Sequence, residues 1–221
     1  MKPGRNPSSF RKIAGSRTSR IDLKYLPQEY YHLYNRGNDK QLIFHESENY
    51  RFFVQRLREY IVKANSELIA FCLMPNHFHL VVYLGECPDF SNVMRGFTTS
   101  YVRSFNTWYH RVGYLFQGNT QMRLVDSDED LIHLCRYVHI NPVTAGLVTT
   151  PESWDYSDYR AWISENLSVY SPIRKVRDVH FSSGREYMQF AIDRAAELKI
   201  RGILEKKLFG SPGRSPSSSM K

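Results

Sequence analysis

In the segment Leu73-Met74-Pro75-Asn76-His77-Phe78-His79-Leu80-Val81, two histidines flank one apolar residue. Side chains alternate faces along a strand, so His77 and His79 point the same way and Phe78 points the other way, into a core. Their Cα atoms then stand about 7 Å apart, near enough for two imidazoles to converge on one divalent cation. The same pattern describes any alternating strand with polar residues turned to solvent, so the pair alone does not define a metal site. A second pair, Tyr137 and Asn141, stands four residues apart at the end of a helical pattern. That spacing stacks them on one helix face. A phenol can act as a nucleophile, and a carboxamide oxygen can complete a metal shell beside two imidazoles. Spacing equally allows Tyr137 to pack and Asn141 simply to end the helix before Pro142, because nothing in it makes the helix face the strand.

These residues need elements to hold them. Tyr30–Asn35 is aromatic-rich and strand-like, and stops at Arg36-Gly37-Asn38. From Glu46 to about Ala64, the residues Tyr50, Phe53, Val54, Leu57, Tyr60 and Ile61 recur at helical spacing. Leu68–Met74 and His77–Leu84 read as a hairpin reversed at Pro75-Asn76. A second helix runs from Phe90 to about His110, with Met94, Phe97, Tyr101, Phe105 and Trp108 on one side. Gln121–Val125 is a short strand, and Ser127 caps a helix expected to end near Ile140, stopped by Pro142. The order is βαββαβ and then a helix: an α+β chain of the ferredoxin-like, split βαβ arrangement. Residues 151–209 read as aromatic loops with one amphipathic helix, Arg185–Leu198, packed on that core. The expected division is a basic disordered arm (1–24), a catalytic domain (25–163), a C-terminal helical extension (164–209) and a disordered tail (210–221).

The chain has 221 residues, 42% hydrophobic and 24% charged, which is globular composition. No apolar run reaches the length of a membrane span, and the N-terminus lacks the apolar stretch of a secretory signal. Three cysteines at no metal-like spacing point to a reduced, cytoplasmic protein. The net charge of +8 is concentrated at the ends: residues 1–25 carry seven Lys/Arg against one Asp, and residues 199–221 six against one Glu. The body between them is therefore mildly acidic. Basic arms on such a body suit a nucleic acid, although solvated basic tails also serve solubility alone. Candidates for DNA contact are Arg11, Lys12, Arg17 and Arg20 in the arm, Lys206 and Lys207 near the end, and Arg36 and Arg123 in the body. Gln117 and Arg103 are weaker candidates. His133 and His139 fall beside the Tyr137 pair, and a structural role is favoured for His139.

Five blocks in order resemble the single-tyrosine, His-hydrophobic-His transposases, specifically their REP-associated branch. These are Tyr34-Asn35-Arg36-Gly37-Asn38 with Ile43-Phe44, the histidine segment, Tyr114–Gly118, Leu134–Leu147 around Tyr137, and Trp154–Tyr159. The resemblance spans roughly residues 28–163. It implies that His77, His79 and Asn141 bind Mg²⁺ or Mn²⁺, and that Tyr137 attacks a DNA phosphodiester, keeping the 5′ phosphate and releasing a 3′ hydroxyl. It also implies substrates that are single-stranded hairpins of repetitive extragenic palindromes with a short guide sequence beside the hairpin, and a monomer more than a dimer. No nucleotide-binding glycine loop is visible, consistent with a covalent link that conserves the phosphodiester energy. A histidine and amide shell suits Mn²⁺ better than Mg²⁺. Two other functions fit the same residues: a hairpin-binding module without chemistry, and a phosphodiesterase using metal and water with Tyr137 structural.

Overall fold

A computed structural model describes residues 25–87 and 89–209, with side chains up to residue 196. The expected disordered arm and tail, with Arg11, Lys12, Arg17 and Arg20, lie outside the described residues. Four strands, β1 (Glu29–Arg36), β2 (Glu67–Met74), β3 (His77–Leu84) and β4 (Gln121–Leu124), form one antiparallel sheet in the order β2-β3-β1-β4. With helices α1 (Ser47–Lys63) and α2 (Phe90–Trp108) in the two crossovers, this is the ferredoxin-like α+β order.

The period of each segment decides which face it covers. In α1, Tyr50, Phe53, Leu57 and Ile61 are buried at helical spacing, and in α2 Phe90, Met94, Phe97, Tyr101 and Phe105 are. They meet Leu33, Phe78, Leu80 and Val82 of the sheet in one core. α1 opens with a reciprocal cap between Glu46 and Asn49, which satisfies amides that have no helical partner.

The opposite sheet face carries α3 (Asp128–Thr144), α4 (Tyr159–Trp162), α5 (Pro172–His180) and α6 (Gly184–Phe209). Ser127 caps α3 as expected, its hydroxyl accepting from the Asp130 amide at 3.0 Å. The expected stop before Pro142 is wrong, because α3 continues to Thr144. A proline removes one N–H, and here the loss falls one turn from the helix end. The Ala145 amide still reaches the Asn141 carbonyl at 2.9 Å, while Pro142 and Val143 are buried. α5 was not expected, and α6 runs well beyond Leu198. The free edge of β2 is covered by residues 154–158: the Leu73 amide donates to the Tyr156 carbonyl at 2.8 Å, and the Trp154 indole to the Leu73 carbonyl at 3.0 Å. Cys72, Cys87 and Cys135 are unpaired. Among the described residues, no helix is long and apolar enough to cross a membrane.

One buried polar cluster ties α3 to its neighbours. His139 is fully buried, with Nδ1 2.6 Å from the Tyr187 hydroxyl and Nε2 2.9 Å from an Asp158 carboxylate oxygen. That oxygen also accepts from the Phe71 amide of β2 at 2.7 Å. Since a carboxylate only accepts, Nε2 donates to Asp158 and Nδ1 accepts from Tyr187. Burial holds the Tyr187 phenol well above its ordinary pKa, so its proton stays available to donate. Replacing His139 by leucine strands a hydroxyl and weakens a carboxylate's support in a dry core. His139→Leu should cost about 2–4 kcal/mol in urea unfolding; a loss under about 1 kcal/mol would show that the cluster does not anchor α3.

Candidate active site

β3 is flanked by β1 and β2, and the pairing Tyr34↔His79 and Arg36↔His77 fixes which side chains share a face. Phe78 is fully buried in the α1–α2 core, so His77 and His79 point to the α3 side. On α3, Cys135, Val138 and His139 are buried, while Tyr137 and Asn141 flank that buried stripe. They turn toward β3. The Tyr137 ring stands edge-on to His79 at 5.4 Å between centroids, and the His77 and His79 rings are 5.1 Å apart. The Asn141 side chain is close enough to His77 to favour its charged form. The structure thus brings together all four residues singled out in the sequence, and the phenol is 48% exposed, open to a ligand from solvent.

A third histidine belongs to the group. His32 of β1 stacks on His79 at 5.2 Å, with its Nε2 3.0 Å from Nδ1 of His79. Likewise, Nδ1 of His77 lies 2.7 Å from the Asn76 side-chain oxygen. Each reactive-face histidine therefore has Nδ1 engaged, which holds its ring in place and leaves Nε2 for another partner. Sequence reasoning passed over His32. The signal was the alternation of Tyr30, His32, Tyr34 and Arg36, which in a strand share one face.

Burial sets the charge state. His79 is pushed down to about 3, first by desolvation and then by His32 and His77. His32 is lowered to about 4 by desolvation and by nearby Arg123. His77 is lowered by burial, with the Asn141 side chain opposing the shift. Neutral imidazoles at physiological pH are what a metal needs from histidine. No group of three His, Cys, Asp or Glu side chains stands ready to hold a metal among the described residues. A metal here would rest on the two imidazoles and an amide oxygen, a nitrogen and oxygen donor set compatible with Mn²⁺ or Mg²⁺.

The other candidates are dispersed. Arg36, exposed at the end of β1, donates from Nε to the Gln117 side chain, beside the histidine pair. Arg123 is exposed on β4, opposite His32. Arg103 lies on α2, on the far side of the sheet. His133 bonds Arg136 at 2.8 Å and packs near Phe190, so it does not join the site. Lys206 and Lys207 belong to α6, beyond the residues whose side chains are described.

Residues 26–141, which include the four strands, the histidine pair, Tyr137 and Asn141, match a family model described as IS200-like transposase. That is more than half of the chain, and the chain belongs to this family. A curated Haemophilus influenzae protein named as a REP-associated tyrosine transposase is 27% identical over 103 residues, covering 42% of this chain and 58% of that relative's length. The solved REP-associated tyrosine transposase bound to a REP hairpin superposes with a TM-score of 0.54 at 18% identity, over 71% of this chain and 88% of that one. At that identity the likeness establishes the shared fold.

The depressed histidines make stability depend on pH. Below an ordinary histidine pKa of 6.5 the unfolded chain takes up protons that the folded chain refuses until about 4 at His32 and about 3 at His79. The unfolded state then binds more protons, so stability falls as pH falls from 6.5 toward 4. Metal-free protein should show this loss in urea titrations across pH 7.5 to 4.5, and a His32→Gln/His79→Gln chain should show a shallower one. Equal slopes would contradict neutral burial of the two rings.

Proposed function

We propose that this chain nicks and rejoins single-stranded DNA at repetitive palindromic hairpins through a 5′-phosphotyrosine on Tyr137. The observation that carries the reading is the Tyr137 ring set against His79 at 5.4 Å, with the Asn141 side chain acting on His77. Family membership supports it, as does the hairpin bound by the related transposase of shared fold.

In the proposed reaction the Tyr137 Oη forms a bond to phosphorus as the bond from phosphorus to the 3′ oxygen breaks. The phenolic proton is given up, and the departing 3′ oxygen takes up a proton to leave as a hydroxyl. Attack by a 3′ hydroxyl on the phosphotyrosine reverses each change and restores the phenol, so joining needs no nucleotide cofactor. Such transfers are governed by alignment and by neutralising charge on the non-bridging oxygens. His77 and His79 through Nε2, with the Asn141 amide oxygen, would hold Mn²⁺ or Mg²⁺, which supplies that neutralisation when bound. His32 and Asn76 keep the two rings oriented. Arg36 and Arg123 would take phosphates beside the site, and Arg11, Lys12, Arg17, Arg20, Lys206 and Lys207 would add backbone contacts. A chain acting on chromosomal repeats in this way would work as a monomer in the cytoplasm, at the nucleoid.

The test uses labelled single-stranded hairpin DNA from repeats flanking the gene, incubated with Mn²⁺, Mg²⁺ or EDTA and run on a denaturing protein gel. The intact chain should give a metal-dependent covalent band. Tyr137→Phe should lose at least about 10³-fold of it while binding the hairpin within about twofold, as expected for removal of a nucleophile. Cleavage by Tyr137→Phe with no band would replace covalent chemistry by hydrolysis, and binding without cleavage by either chain would leave a hairpin-binding module.

A further inference from the structure

Beside β2, between α1 and residues 155–161, lies a cleft of about 720 Å³, a size that suits a small molecule. Its walls are mostly apolar: Tyr50 and Tyr156 stack at 3.6 Å between ring centroids, and Val54, Phe71 and Ala161 complete them. Most charges around it are already paired. Arg51 meets Glu48 at 3.2 Å, Glu59 meets Arg56 at 2.8 Å, and Asp155 meets Arg160 at 2.7 Å. Arg58 is exposed, so water screens its charge. Asp158 differs from all of these. It lines the cleft, yet its side chain is only 10% exposed. Both of its side-chain hydrogen bonds, from the Phe71 amide and from His139, fall on Oδ1. Among the described residues, none donates to Oδ2.

We propose that this cleft binds a small planar cation, an amidinium or guanidinium carried on an apolar body. The charged end meets Oδ2 of Asp158, and the body lies among Tyr50, Val54, Phe71 and Tyr156. A buried carboxylate with one idle oxygen favours a donor, and a charged donor above a neutral one, because ionic hydrogen bonds are the stronger kind. Planarity suits the aromatic walls. A guanidinium or amidinium lies on a ring face and is less strongly hydrated than a compact ammonium, so it enters an apolar cleft at lower cost. Glu59, Asp155 and Asp158 outnumber Arg51 and Arg58 in the lining, which disfavours DNA and favours a cation. The same carboxylate holds His139, two residues after Tyr137. A ligand on Oδ2 therefore acts on the group that seats α3. The inference stands whether or not the chain nicks DNA, since it uses none of the residues of the histidine face.

The test uses benzamidine as the cation and benzamide as its neutral counterpart, each titrated into the full ¹⁵N-labelled chain and followed by NMR. Benzamidine should shift the amides of Val54, Phe71 and residues 155–161 in a saturable way. It should also move the His139 Nε2 resonance, because that nitrogen donates to the same carboxylate. Benzamide should bind about 10- to 150-fold more weakly, the range expected for losing a hydrogen bond between charged groups. Asp158→Asn keeps an oxygen for His139 and Phe71, and should weaken benzamidine to a similar degree. Because Asp158 also seats α3, a second variant leaves it in place: Val54→Trp fills the cleft from α1 and should abolish binding while the unfolding midpoint is retained. Equal affinity for benzamidine and benzamide would overturn the site. So would binding that survives Val54→Trp, a His139 resonance that stays fixed as the other shifts saturate, or no shift at any of these residues.

Discussion

An α-helix turns by about 100° per residue, so the direction in which Tyr137 points depends on how α3 is seated on the sheet. A rotation by one residue would carry the phenol off His79 and Asn141 off His77. The seating is fixed by apolar packing and by one polar lock. Leu131, Cys135 and Val138 bury against Cys72, Met74 and Val81 of the sheet and against Trp162 and Tyr187. The His139 cluster lets only one rotation satisfy Asp158 and Tyr187 together. Asp158 also receives the Phe71 amide, so the same carboxylate joins the strand next to β3 to the helix that carries the tyrosine. The residues after the family block are therefore part of the site's geometry.

The way α3 lies on the sheet has two consequences. Beneath α3, His79 is only 8% exposed, which keeps its imidazole neutral and fixes its orientation through His32. Beside α3, Tyr34, Arg36 and Gln121 remain open to solvent. The same helix thus keeps His79 neutral and leaves Tyr34 and Arg36 exposed beside it.

The elements that position the site were legible because their periodicities are strong. The alternation in His77–Leu84 placed Phe78 in one core and the histidines on the other face, and the three-four repeats of Phe53, Leu57, Phe97 and Tyr101 marked α1 and α2. The four site residues were visible by type and spacing, yet no spacing rule makes a helix at 128–144 face a strand at 77–84. Only tertiary packing does that. Pro142 misled because a local rule about helix termination met a position where one lost hydrogen bond is outweighed by burial of Pro142 and Val143. His32 escaped notice because its significance lies in an antiparallel register across 47 residues, which a single strand does not display. α5 was missed because it is only nine residues long, so Ile173 and Val176 mark a single turn of apolar spacing.

Identifying the atom that becomes bonded to DNA tests this account most directly. The chain would be incubated with flanking-repeat hairpin DNA and Mn²⁺, digested with nuclease and trypsin, and its peptides sequenced by mass spectrometry. The account requires a 5′-linked nucleotide on Tyr137 and on no other residue. A nucleotide on Tyr34 or another side chain, or free 5′-phosphate ends with an unmodified Tyr137 peptide, would contradict it.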